Sequence, residues 1–144
     1  MAILAIDHGE KRIGVAISDA TETLARPLAI LKHASRTADA RRVLEIAEEH
    51  AVTLIVIGES TDEEGAPNLA GRRAGRFAET LRTMTERIVV LWDESLSTQE
   101  AREWRIARGA SRKNRSTPID ADAAATILQS YLEARRGTDS GRKG

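Results

Sequence analysis

The sequence predicts one α/β domain built on a mixed five-stranded sheet flanked by helices. Three observations carry this. Three short apolar runs, ending at Asp7, Gly58 and Asp93-Glu94, are apolar on both faces, as buried parallel strands are. Stretches of helical period separate the later runs, as crossover helices do. The opening instead shows two strands joined by a short turn, which is antiparallel pairing.

The elements follow in order. Residues 2–7 form a central strand that stops at an acid, Asp7. Residues 12–18 alternate Ile13, Val15 and Ile17 with Gly14, Ala16 and Ser18, a second strand. Leu24 to Leu31 is a third, in which Pro27 fits only at an edge or a bulge. From Thr37 to His50 the pattern is helical, with Ala40, Val43, Ile46 and Ala47 on one face. Residues 52–57 are a buried strand closed by Gly58, followed by an acidic loop. A helix runs from Pro67 to Thr85 on a stripe of Ala70, Ala74, Phe77, Leu81 and Met84. Residues 88–92 are the last strand.

Ser97-Thr98-Gln99-Glu100 is a capping box that opens a helix to about Arg108, where Gly109 stops it. Thr117-Pro118 opens the final helix, with Ile119, Ala123, Ile127 and Tyr131 as core, widened by Ala124 and Leu128. The domain spans residues 1–136, and the Gly, Ser and Lys content of 137–144 predicts a flexible tail. No internal repeat or linker divides the chain.

Composition narrows the function. Apolar residues make up 41% of the chain and no run is long enough to span a membrane. The N-terminus carries no secretory pattern, so the expected location is cytoplasmic. The chain has no cysteine, which excludes disulfides, thiolate metal sites and a cysteine nucleophile. The 22 basic and 22 acidic residues cancel, so no global basic field exists. Charge is nonetheless patchy. Between Arg105 and Thr117 stand Arg105, Arg108, Arg112, Lys113 and Arg115 without an acid. Around Glu59 to Glu64 the sign reverses.

An acid at the end of a core strand is costly unless paired, hydrated or bound to metal. In open α/β sheets the functional crevice lies off the carboxyl ends of the parallel strands, so Asp7 and Glu94 share an edge. Asp120 lies on the buried stripe of the final helix, with Ala124, Ile127 and Tyr131, and Asp122 points away. Three converging carboxylates repel, and hard divalent ions relieve that repulsion. Two ions about 3.5–4 Å apart can hold a phosphodiester, activate water and stabilise the leaving oxygen.

Three motifs make the reading specific: Asp7-His8-Gly9-Glu10-Lys11-Arg12-Ile13-Gly14; Asp93-Glu94-Ser95-Leu96-Ser97-Thr98; and Ile119-Asp120 followed by Ala123-Ala124 and Ile127-Leu128-Gln129-Ser130-Tyr131. With Ser111-Arg112-Lys113 between the last two, the chain resembles the YqgF family from Ile3 to about Glu133. This family belongs to the RNase H-like superfamily and is described as pre-16S rRNA nucleases, earlier as Holliday junction resolvases. The resemblance implies an RNase H-like sheet with Asp7, Glu94 and Asp120 as metal-binding catalytic acids, taking Mg²⁺ or Mn²⁺. The family commonly carries Leu-Pro after the glycine that ends the fourth strand. Here Glu59-Ser60 follows Gly58, which sets an extra acid near the expected site.

Each assignment has a plainer rival. Asp7 can form an Asx turn into Gly9, Glu94 can be a solvated loop acid, and Asp120 can serve the helix N-terminus. The agreement of three positions on one site favours ligation. Asp93 is read as a loop support and His8 as a turn residue. Lys11 and Arg12 are candidate phosphate contacts, with surface charge an equal account. Arg112, Lys113 and Arg115 are favoured as phosphate contacts because they flank Asp120 without an acid. Arg72, Arg73 and Arg76 read as a solvated face, and Trp92 and Trp104 as core. At 3% aromatic content, base stacking is a poor mode of binding.

The expectation is a metal-dependent endonuclease acting on precursor 16S rRNA, as monomer or homodimer. One rival is the same chemistry on branched DNA, and another is a non-catalytic RNA- or ribosome-binding module. A nucleotide-hydrolysing relative of the actin and sugar-kinase fold needs two lobes, and one domain is too small.

Overall fold

The computed structural model describes residues 2–93 and 120–143, with the side chains of all but 120, 121 and 136–143. The expected helix at 97–108, the basic run at 105–117, Trp104 and Glu94 lie outside the described residues. Five strands form one sheet: β1 (Ala2–His8), β2 (Arg12–Ser18), β3 (Ala25–Lys32), β4 (Val52–Glu59) and β5 (Ile88–Asp93), in the order β3-β2-β1-β4-β5. β1 runs antiparallel to β2, and β2 to β3; β1, β4 and β5 are parallel. The three parallel strands are those that end at Asp7-His8, Gly58-Glu59 and Asp93, as their two-sided apolar character predicts.

The local chemistry accounts for the pattern. Between β1 and β2 the Gly9 N–H donates to the Arg12 carbonyl at 2.9 Å. A Cβ on Gly9 would stand 2.8 Å from that carbonyl oxygen, so glycine is required there. β3 is an edge strand, and its pairing with β2 shifts between Val15 and Ala16, opposite Ala29 and Pro27. Pro27 therefore sits at an edge and at a bulge together, where a missing N–H costs no ladder bond.

Two helical layers cover the sheet. On one face lie α1 (Arg36–Glu49) and α2 (Leu69–Met84). Leu4, Ile6, Ile13, Val15, Ile55 and Ile57 pack there against Val43, Phe77 and Leu81. Ser35 caps α1 by accepting from the Ala38 N–H, and Asn68 caps α2 by accepting from the Gly71 N–H. On the other face lies α3 (Asp120–Lys143). Ala124, Ala125, Ile127, Leu128 and Leu132 meet Ile3, Ala5, Ala16 and Val56.

One sequence expectation changes. β4 continues past Gly58, because Gly58 and Glu59 still pair with Trp92 and Asp93 of β5. The helical backbone of α3 runs on through 137–143. Once a helix is nucleated, each added residue gains a hydrogen bond for the dihedrals it fixes, and two glycines do not stop it. Among the described residues no helix is long and apolar enough to cross a membrane.

Candidate nuclease site

Alternation along β1 decides which layer each side chain meets. Ala2, Leu4 and Ile6 pack toward α1 and α2, while Ile3 and Ala5 pack toward α3. Asp7 continues the second series, so its carboxylate is on the α3 face at the carboxyl end of the central strand. It is half-buried. Its cross-strand partner is Gly14, which presents no side chain beside it. In the turn that follows, the Gly9 N–H donates to the Arg12 carbonyl.

The course of α3 bears on Asp120. Far along that helix, Gln129 accepts from the Ala25 N–H at 2.9 Å and donates to the Thr23 carbonyl at 3.2 Å. Arg135 reaches Glu22 at 3.5 Å. These partners lie in the β2–β3 turn, at the opposite end of the sheet from the β1–β2 turn. At about 1.5 Å per residue, the start of α3 lies roughly 22 Å along the helix axis from Arg135. Asp120 is the first residue of that helix, and its side chain is outside those described. Trp92 braces the same layer, its indole N–H donating to Ser130 Oγ at 3.2 Å and its ring meeting Tyr131 edge-on at 5.2 Å.

Asp93 and Glu59 lie on the other face. They pair in register at the ends of β5 and β4 and follow the series Val89, Leu91 and Ile55, Ile57 toward α2. Asp93 accepts from Thr61 Oγ1 at 3.1 Å, the loop support the sequence suggests. The Ser60 carbonyl accepts from the Asn68 N–H, tying the loop to α2. Alternation thus separates Glu59 from Asp7 by the thickness of the sheet. The extra acid in the Glu59-Ser60 pair belongs to the α2 layer.

Lys11 and Arg12 are exposed on the β1–β2 turn. Arg112, Lys113, Arg115 and Glu94 lie outside the described residues. Among the described residues no three His, Asp or Glu side chains gather as a metal-binding group.

Two readings of side chains differ from the structure. His8 ends β1 rather than sitting in the turn, and it packs on Phe77 with ring centroids 4.6 Å apart. Burial lowers its pKa from 6.5, outweighing the pull of the Asp39 carboxylate. Arg73 is not part of a solvated face, since its Nε is buried without a hydrogen-bond partner among the described residues. Arg72 does stay on the surface and donates to the Pro67 carbonyl at 3.3 Å. The sequence signal for Arg73 is its place one residue before core Ala74, where a long side chain skirts the apolar stripe.

With the geometry in place, comparison with known proteins is specific. A family model described as RuvX, Holliday junction resolvase, matches residues 1–134. A protein of Thermoanaerobacter pseudethanolicus is 37% identical over 137 residues, covering 94% of this chain and 99% of its own. One of Halalkalibacterium halodurans is 38% identical over 138 residues, with coverage of 94% and 99%. Both carry the provisional name of pre-16S rRNA nuclease. In structure, RuvC of T. thermophilus in complex with a Holliday junction substrate matches with a TM-score of 0.66 at 18% identity, covering 96% of this chain and 97% of its own. That likeness shows the RNase H-like fold.

Proposed function

The chain belongs to the RuvX (YqgF) family of nucleases, and on that premise we propose that it is a divalent-metal-dependent endonuclease whose Asp7, Glu94 and Asp120 hold the ions and whose substrate is the precursor of 16S rRNA. The observation that carries this is the position of Asp7: a half-buried carboxylate at the carboxyl end of the central parallel strand, on the α3 face. Glu94, which follows the last residue of β5 in the sequence, is assigned with it on the family resemblance. Helix α3 begins at Asp120, and its Ala124, Ile127 and Leu128 are buried against the sheet.

The donor chemistry fits hard ions. Carboxylate oxygen is the preferred ligand of Mg²⁺ and Mn²⁺, and Gly14, paired with Asp7, adds no side chain of its own. When bound, such ions supply Lewis-acid stabilisation of charge on phosphoryl oxygens and lower the pKa of water. The chain's own part is positioning. Ladders on both sides of β1 fix the backbone up to Asp7, and Trp92 and Gln129 fix α3 over the same face. Lys11, Arg12, Arg112, Lys113 and Arg115 hold the strand by phosphates, which gives shape more weight than sequence.

The names of the full-length relatives support precursor 16S rRNA as the substrate. The family description supports branched DNA as a second reading. A cleavage assay with precursor 16S rRNA, a four-way DNA junction and linear controls, in Mg²⁺, Mn²⁺ or EDTA, separates them. Cutting of the RNA that needs the ion and is lost in Asp7→Asn and Asp120→Asn is expected. Cutting that survives in EDTA, or in either variant, sinks the metal-carboxylate reading. Binding without cutting under every condition favours a non-catalytic module.

A further inference from the structure

The sheet carries a polar concavity on the face opposite Asp7. It encloses about 220 Å³ and is lined by His8, Glu10, His33, Arg36, Arg73 and Arg76. Such a volume is below the roughly 300–1,000 Å³ of sites for drug-sized molecules, and it suits a compact polar ion with its waters.

Its electrostatics are one-sided. Three guanidinium groups face one exposed carboxylate, Glu10. Among the described residues, no carboxylate lies within ion-pair distance of Arg36, Arg73 or Arg76. The nearby Asp39 is fully buried and already engaged: it accepts from the Ala34 N–H at 3.0 Å, pairs with His33 and lies 3.9 Å from Arg42. Arg36 is the first residue of α1, where the helix dipole already presents positive charge, so an arginine there is unfavourable without an anion.

The floor has unused polar atoms. Both ring nitrogens of His8, one a donor and one an acceptor in the neutral ring, and the donor Nε of Arg73 are buried without hydrogen-bond partners among the described residues. Buried polar atoms left in this state are costly, and a ligand that accepts hydrogen bonds removes the cost. Guanidinium groups in a fork match the oxygens of a phosphate.

We propose that this pocket binds one phosphate of the nucleic-acid strand on which the Asp7 face acts, so that the strand is gripped on both sides of the β1–β2 turn. The proposal rests on the nuclease reading and extends it. Asp7 and His8 are consecutive on β1 and point to opposite faces, so a strand crossing the turn meets a carboxylate site on one side and this cationic pocket on the other. Arg73 and Arg76, one turn apart on α2, and Arg36 on α1 then contact the backbone and not the bases.

The test has two arms. Inorganic phosphate is titrated against thermal unfolding of the wild-type chain and of Arg36→Gln, Arg73→Gln and Arg76→Gln. Binding of a precursor 16S rRNA fragment is then measured across a salt series in an Asp7→Asn background. Phosphate is expected to raise Tm of the wild type, and each variant to weaken that rise. Each variant is also expected to weaken the RNA about tenfold and to lower the salt slope by about 1. Arg36 and Arg76 are exposed, so their variants keep the test readable if Arg73→Gln folds poorly. No rise in Tm with phosphate overturns the proposal. A rise without change in RNA affinity or salt slope also overturns it, leaving a site for free anions. Cleavage is scored separately: its loss or survival in Asp7→Asn reports on the carboxylate reading, while phosphate binding and the salt slope report on the pocket.

Discussion

Asp7 and Gly14 stand opposite each other on β1 and β2, so no side chain projects from β2 beside the carboxylate at that rung of the ladder. A larger residue at position 14 would cover the flank of the carboxylate on the α3 face. Gly14→Val is therefore expected to keep the fold, since valine suits a strand, yet to reduce cleavage by at least 10-fold, about the loss when an outer partner of a metal site is removed. Steady-state cleavage beside a circular dichroism spectrum checks both halves. Asp19 makes a different residue-scale point. Its carboxylate accepts from the N–H groups of Thr23 at 2.8 Å and Leu24 at 3.2 Å, which holds its pKa below 3.8. A depressed folded pKa means stability that is present above the unfolded value and lost as pH falls through the folded one. The stability gap between the wild type and Asp19→Ala should close as pH drops below 3.8, read by urea unfolding at a series of pH values. A gap that stays constant into acid would contradict this. Gly71 is fixed by contact: a Cβ there would lie 2.2 Å from the Ser60 carbonyl oxygen. Gly71→Ala must push the 60–61 loop off α2 and should lower Tm.

At the scale of elements, α3 is placed by a few polar side chains over an apolar stripe. Gln129 is almost fully buried and satisfies the Ala25 N–H. Gln129→Leu leaves that N–H without its partner, and the expected loss is about 1–3 kcal/mol by chemical denaturation. The sequence motif around Ile127 to Tyr131 is thereby explained, because Gln129, Ser130 and Tyr131 each engage the sheet layer. Strand periods and helix stripes were legible because two-sided burial and the 3.6-residue repeat write themselves into apolar spacing. Pro27 even announced its edge and bulge. What the pattern left out was the partner of each polar group. Arg73 looks like any exposed helix arginine until His33 and Arg36, from a different segment, close around the same space. Glu59 looked like a threat to the site because sequence distance does not report which face a strand residue takes. Only the register of β4 against β5 assigns it to the α2 layer.

Across the whole molecule, the sheet divides labour between its faces. The α3 face carries Asp7 beneath the helix that begins at Asp120, and the α1–α2 face carries the larger apolar core and the cationic pocket. Phe77 ties the second face together, being fully buried and stacked near His8. Phe77→Ala is expected to cost about 3–5 kcal/mol in stability. The most direct test of the central claim is titration of Mn²⁺ into the wild-type chain and Asp7→Asn, followed by calorimetry or by the resonance of the free ion. Saturable binding by the wild type that is weakened at least tenfold in Asp7→Asn is the predicted result. Equal binding by the two proteins would contradict the assignment of Asp7 as a metal ligand.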